Sequence, residues 1–152
     1  MRLMNSRRNM RGVSLIEVLV SVVIVAIGLL GIAAMQSLAL RGGQSSLESS
    51  QAMMQTQSIL ESMRANRANA GAYATGGMLC DPGEASAANA LAEEDLASWI
   101  ESLKGTMGVE DDESTCGQIA VDAAGTWTVT VQWDDGRAGG GGERQVVTET
   151  RI

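Results

Sequence analysis

The chain has 152 residues, of which 45% are hydrophobic, with no His, no Phe, two Cys and a formal net charge of −7. Without histidine, neither a histidine base nor a histidine metal ligand is available, and the acidic balance argues against nucleic-acid binding, which needs a basic footprint. The length allows one modest domain plus a membrane element, and the scarcity of large apolar groups beyond residue 40 implies a limited soluble core.

Residues 1–12 form a short basic leader with Arg2, Arg7, Arg8 and Arg11. Behind it the chain holds seven basic residues against eighteen acidic ones. Four arginines ahead of an apolar run keep the amino terminus cytoplasmic and send the acidic remainder outside.

Residues 13–40 are the apolar run, uncharged from Val18 to Leu40. That is the length of a membrane-spanning helix, and with apolar side chains on every face it does not read as an amphipathic surface helix. Glu17 sits near its start. An acid at that depth is either solvated at the interface or functional. A secretory signal peptide would need a cut near Gly31-Ile32-Ala33-Ala34, but its apolar region is shorter than this one.

The string Arg11-Gly12 followed by Val13-Ser14-Leu15-Ile16-Glu17-Val18-Leu19-Val20 resembles the class III signal of type IV pilins and type II secretion pseudopilins. The resemblance covers Arg11 to about Met35. It implies that a prepilin peptidase cuts after Gly12 and methylates Val13. It further implies that Glu17, fifth in the mature chain, sets assembly register by pairing with a neighbouring subunit's amino terminus. Two positions depart from the family: Val13 stands where Phe is usual, and Ala34 where many major pilins carry a kinking Pro.

The helix is expected to continue to about Arg67. Leu40, Leu47 and Met54 recur every seven residues, and Ile59, Leu60 and Met63 extend a stripe on which the soluble domain should sit. Gly28, Gly31 and the pair Gly42-Gly43 interrupt it, either for close helix packing or as bending points. Asn66 to Gly83 is rich in small and turn residues and reads as a loop. Within it, the string M-R-A-N-R-A-N-A-G-A-Y-A from Met63 is similar to the post-helix segment of PilV-type minor pilins.

A second helix is expected from about Asn89 to Lys104, with Leu96, Trp99, Ile100, Leu103 and Met107 at helical spacing and acids early, a base late. Glu110-Asp111-Asp112-Glu113 lacks the spacing of a calcium loop and reads as a solvated turn. Thr126 to Trp133 alternates strictly and is a half-buried strand. Gln118 to Val121 and Glu143 to Ile152 are the other two strands, the latter following a glycine-rich tip at Gly139 to Gly142. No helix follows that tip to bind a phosphate.

Cys80 and Cys116 lie in the exported part, where disulfides persist, and two cysteines have one intramolecular pairing. A metal site or free buried thiols are the competing readings.

The expected fold is α+β: a long N-terminal α-helix, half transmembrane and half amphipathic, packed against a small antiparallel β-sheet, with a short second helix. The expected division is a leader at 1–12, a transmembrane and assembly helix at 13–40, and a periplasmic globular domain at 41–152. No catalytic constellation, cofactor site or metal site is expected. The resemblance implies a minor type IV pilin, a subunit that primes pilus assembly with a place at the tip. Its implied partners are other minor pilins and the major pilin, prepilin peptidase, the inner-membrane assembly machinery and the inner membrane itself. A minor pseudopilin of type II secretion is the alternative within the family, and a single-pass membrane-anchored periplasmic binding protein the alternative outside it.

Overall fold

A computed structural model describes residues 12–108, 112–136 and 142–152. The basic leader before Gly12, the acids Glu110 and Asp111, and most of the glycine-rich tip lie outside the described residues. Seven elements follow in order: helix α1 (Leu15–Ala65), 3-10 turns at Arg67–Tyr73 and Pro82–Glu84, helix α2 (Ala90–Met107), and strands β1 (Cys116–Val121), β2 (Trp127–Asp134) and β3 (Glu143–Thr150). This is the α+β arrangement expected, and the chain divides into two compact units, one ending at Ala39 and the other running Leu40–Ile152.

The first unit is helical and apolar. α1 is long and apolar enough to cross a membrane, and its most apolar stretch is wholly exposed. Gly28, Gly31, Gly42 and Gly43 all lie within α1, and a Cβ at any of them would meet nothing.

In the second unit, α1 turns Glu48, Ala52, Thr56, Ile59, Leu60 and Met63 inward. Leu40, Leu47 and Met54 instead lie outside, at 75%, 58% and 55% exposure, which corrects the expectation that they carry the domain. The reason is volume. The large buried side chains Trp99, Trp133 and Tyr73 come from elsewhere in the domain, so α1 meets them with small or polar positions and keeps its bulk for the Ile59–Leu60–Met63 end. The seven-residue spacing marks a stripe without saying which side of it is covered.

The segment after α1 is also more ordered than its composition suggests. Arg67–Tyr73 forms 3-10 turns, and the Tyr73 ring is fully buried. Its hydroxyl donates to Asp95 Oδ2 at 2.5 Å and accepts from Asn66 Nδ2 at 3.4 Å. Asn66 Nδ2 also reaches Asn89 Oδ1 at 3.1 Å, and the same oxygen caps α2 by accepting from Ala92 N–H at 3.1 Å. Asn66 of the M-R-A-N string thus fastens the end of α1 to the start of α2.

α2 begins one residue after its Asn89 cap and runs three residues further than expected. Trp99 is buried in the core, and its indole N–H donates to the Gln55 carbonyl at 3.1 Å. It lies so close to β1 that a Cβ on Gly117 would stand 2.4 Å from the ring, so glycine is required there by close approach rather than by backbone conformation.

The sheet is an antiparallel meander in the order β1-β2-β3. Ile119 pairs with Val129, and Val129 with Thr148. Strict alternation in β2 sends Trp127, Val129, Val131 and Trp133 into the core, and burial of such side chains contributes about 1.5–3 kcal/mol each. The β1–β2 turn is closed by Asp122, whose Oδ1 accepts from Ala124 and Thr126 N–H at 2.9 and 2.7 Å. Gly125 in this turn has φ +81°, which glycine adopts without steric cost.

Candidate functional site

The first described residues are Gly12, Val13 and Ser14, ahead of Leu15, where the helix starts. The Ser14 carbonyl accepts from the N–H of Glu17 at 3.0 Å and of Val18 at 3.3 Å, so Ser14 stands at the cap position and Glu17 in the first turn. Ser14-Leu15-Ile16-Glu17 has the spacing of a capping box. A carboxylate there also complements the partial positive charge of the helix start. The serine three residues before Glu17 makes this spacing readable in the sequence, but neither side chain makes a capping bond among the described residues.

Glu17, Ser21 and Val25 follow one another at four-residue spacing and share a helix face, with Val13 just ahead of the helix. The Ser21 hydroxyl folds back on the Glu17 carbonyl at 2.7 Å. The Glu17 carboxylate has no hydrogen bond or ion pair among the described residues. An acid surrounded by apolar side chains and lacking a partner is unfavourable in hydrocarbon and gains from a cation supplied by another chain.

The second unit carries its polar chemistry inside. Cys80 and Cys116 are joined by a disulfide. The bridge encloses α2 and joins the segment after Tyr73 to the first strand. Cys116 is buried. The Trp133 indole N–H donates to the buried Glu48 Oε2 at 3.1 Å, tying β2 to α1. Two residues after Trp133, the buried Asp135 receives Arg144 Nε at 2.6 Å and the Ser45 hydroxyl at 3.2 Å through Oδ2. Its Oδ1 has no hydrogen bond among the described residues. These contacts hold the sheet to the helix at the Ser45–Glu48 turn.

The acidic segment after α2 has a structural part to play. Asp112 Oδ1 accepts from the N–H of Ser114 at 2.9 Å, and Lys104 Nζ donates to the Asp112 carbonyl. Among the described residues, no group of three or more Cys, Asp or Glu is placed to hold a metal ion.

The five residues marked by sequence thus fall into two places. Gly12, Val13 and Glu17 are at the exposed head of α1, and Cys80 with Cys116 is inside the second unit.

Residues 7–33 match the family model described as the prokaryotic N-terminal methylation motif. No curated protein and no solved structure matches the chain. The motif spans the junction between the basic leader and the apolar helix, and it contains Gly12, Val13 and Glu17. A prokaryotic N-terminal methylation motif at the head of a long apolar helix, followed by a small α+β unit, is consistent with the type IV pilin-like, or prepilin, family.

Proposed function

We propose that the chain is a minor type IV pilin of the PilV type, a structural subunit that helps prime pilus assembly and takes a place at the tip. The observation that carries this reading is the methylation motif at residues 7–33, set on a helix whose apolar stretch is exposed on all sides. In this reading residues 1–12 are removed as a cytoplasmic leader, residues 13–40 anchor the chain in the inner membrane, and residues 41–152 lie in the periplasm. The prepilin peptidase cuts after Gly12 and methylates Val13.

Assembly then moves the helix out of lipid and into a bundle of like helices. Lipid and bundle are similarly apolar, so helix packing has to favour the transfer. Glu17 supplies the register. Its carboxylate lacks a partner within its own chain and pairs with the amino-terminal nitrogen of a neighbouring subunit. The major pilin, other minor pilins and the inner-membrane assembly machinery are the partners this reading requires.

Intact-mass measurement of the membrane-extracted protein tests it. The expected mass is that of a chain beginning at Val13 with one methyl group. A chain that keeps residues 1–12, or one cut near Ala34, refutes the reading. Deletion separates the two assemblies of this kind: loss of twitching with secretion intact fits a pilus subunit, and loss of protein secretion with twitching intact assigns the chain to a type II secretion pseudopilus.

A further inference from the structure

The two edges of the sheet differ. On β1, the outer edge is covered by the chain's own segment after Tyr73. Gly117 exchanges two main-chain hydrogen bonds with Leu79, at 2.8 and 2.9 Å, and the Ile119 carbonyl accepts from Thr75 N–H at 3.0 Å. Ile119 N–H in turn donates to Thr75 Oγ1 at 3.1 Å.

On β3 the outer edge is bare. Asp135 N–H donates to the Gly142 carbonyl at 3.2 Å, and the register carries this pairing on from Asp134 and Glu143. Antiparallel pairs alternate between bonded and unbonded positions, so the even-numbered residues of β3 turn their main-chain groups toward β2. Glu143, Gln145, Val147 and Glu149 turn theirs outward. Among the described residues nothing bonds to the main-chain N–H or C=O of these four.

The side chains along this edge guard only its ends, where Glu143, Arg144 and Glu149 are charged. Unpaired edges are usually blunted by proline, a bulge or charge along their length. β3 holds no proline, pairs without a bulge, and is uncharged across its centre, Gln145-Val146-Val147-Thr148. Val147 is 55% exposed. Val146 packs against the core yet stays half-buried, so the core layer reaches the edge without being closed there.

Beyond the end of β3, Arg64, Arg67, Arg151 and Ile152 line one hollow. Arg64 pairs with the exposed Glu61, and Arg67 donates to the Ile152 carbonyl at 3.2 Å. Arg151 has no ion pair or side-chain hydrogen bond among the described residues. Three of the seven basic residues beyond the leader are thus gathered at one end of an open edge, in a part of the chain that is otherwise strongly acidic.

We propose that the outer edge of β3 is a docking site for an extended segment of a different subunit, which adds a fourth strand to the sheet. Main-chain bonds to Glu143, Gln145, Val147 and Glu149 hold it. Its inward side chains are apolar and complete the layer begun by Val146. Its end beside Arg151 carries a carboxylate that the arginine cluster neutralises. A second copy of this chain is the competing occupant: antiparallel pairing of two β3 edges is a two-fold rotation about the sheet normal that sets the two copies head to tail, and the crosslink below distinguishes it from a different subunit. This inference rests on the assembly reading above for the presence of a different subunit.

The test uses the full chain in cells that make its natural complement of subunits. A photo-crosslinking phenylalanine derivative replaces Val147 and, for comparison, the exposed Glu101 on α2. The expected result is a crosslink from position 147, and none from 101, to one heterologous subunit, with the attachment mapped by mass spectrometry to an extended segment that ends in an acid. Val147→Pro deletes an N–H that faces away from β2. It should lower co-purification of that subunit about tenfold, the equivalent of one or two net hydrogen bonds, with the Cys80–Cys116 bridge and the urea midpoint retained. Arg151→Glu should weaken recovery while Arg151→Lys preserves it, a readout independent of how Val147→Pro folds.

A crosslink to a second copy, or to no protein, overturns the proposal, as does unchanged recovery with both Val147→Pro and Arg151→Glu. The mature mass is read in the same samples. A chain uncut at Gly12 refutes the pilin reading, whereas correct processing with no crosslink refutes the edge proposal alone.

Discussion

Replacing Cys80 by serine opens the Cys80–Cys116 bridge, whose ends are 36 residues apart and which encloses the whole of α2. The bridge acts chiefly on the unfolded chain. Closing a loop of this size removes conformational entropy equivalent to about 4 kcal/mol. That is a large share of the stability of about 5–15 kcal/mol typical of a domain. With a urea slope of about 2 kcal/mol per molar, the midpoint should fall by about 2 M. All three tryptophans lie in the second unit, so their fluorescence reports its unfolding in the full chain held in detergent. Two comparisons isolate the mechanism. Reductant should shift the wild type by the same amount and leave Cys80→Ser unchanged. Adding Cys116→Ser should cost only about 1 kcal/mol more, because the ring is already open and what remains is a change at one buried position. A midpoint for Cys80→Ser within about 0.3 M of wild type would rule out stabilisation through loop closure, since the bridge would then be closing a loop already held together by other contacts.

Glu17→Ala should leave cleavage and insertion intact, because it removes a charge that hydrocarbon disfavours, and should lower recovery of the chain with its assembly partners; equal recovery rules out a register role. Tyr73 gives a pH dependence. Burial, and then the hydrogen bond to Asp95, hold its phenol above the ordinary value of 10.0. The folded chain keeps this proton where the unfolded chain loses it, so the contribution is complete below about pH 10 and is lost as pH rises further. As Tyr73 is the sole tyrosine, phenolate absorbance should titrate above 10 in the folded protein and near 10 in urea. Tyr73→Phe should cost about 1–2 kcal/mol at neutral pH and flatten the alkaline fall in stability, and a fall that persists unchanged in this variant would place its origin elsewhere.

Local chemistry decides some features of this protein, and these were legible in the chain. The strict alternation of Trp127, Val129, Val131 and Trp133 names a half-buried strand, since side chains alternate across a sheet, and it is the strand found. The apolar run from Val18 to Leu40 names a membrane-length helix, because composition and length are what a bilayer selects. The basic residues before Gly12 and the acid at Glu17 sit within one short stretch, so the methylation motif is also local.

What needed the tertiary structure was which surface meets which. Leu40, Leu47 and Met54 have the spacing of a buried stripe, yet the domain covers the neighbouring face of Glu48, Ala52 and Thr56. Helical periodicity fixes only which residues share a side, and the bulk of Trp99 and Trp133 decides which side is filled. The segment from Asn66 onward looked like loop because its residues are small. Its order comes from partners far along the chain, with Tyr73 fixed by Asp95 and Leu79 by Gly117. The bare edge of β3 was hidden for the same reason: β1 and β3 both read as strands, and only long-range pairing shows that the chain covers the first edge and leaves the second open.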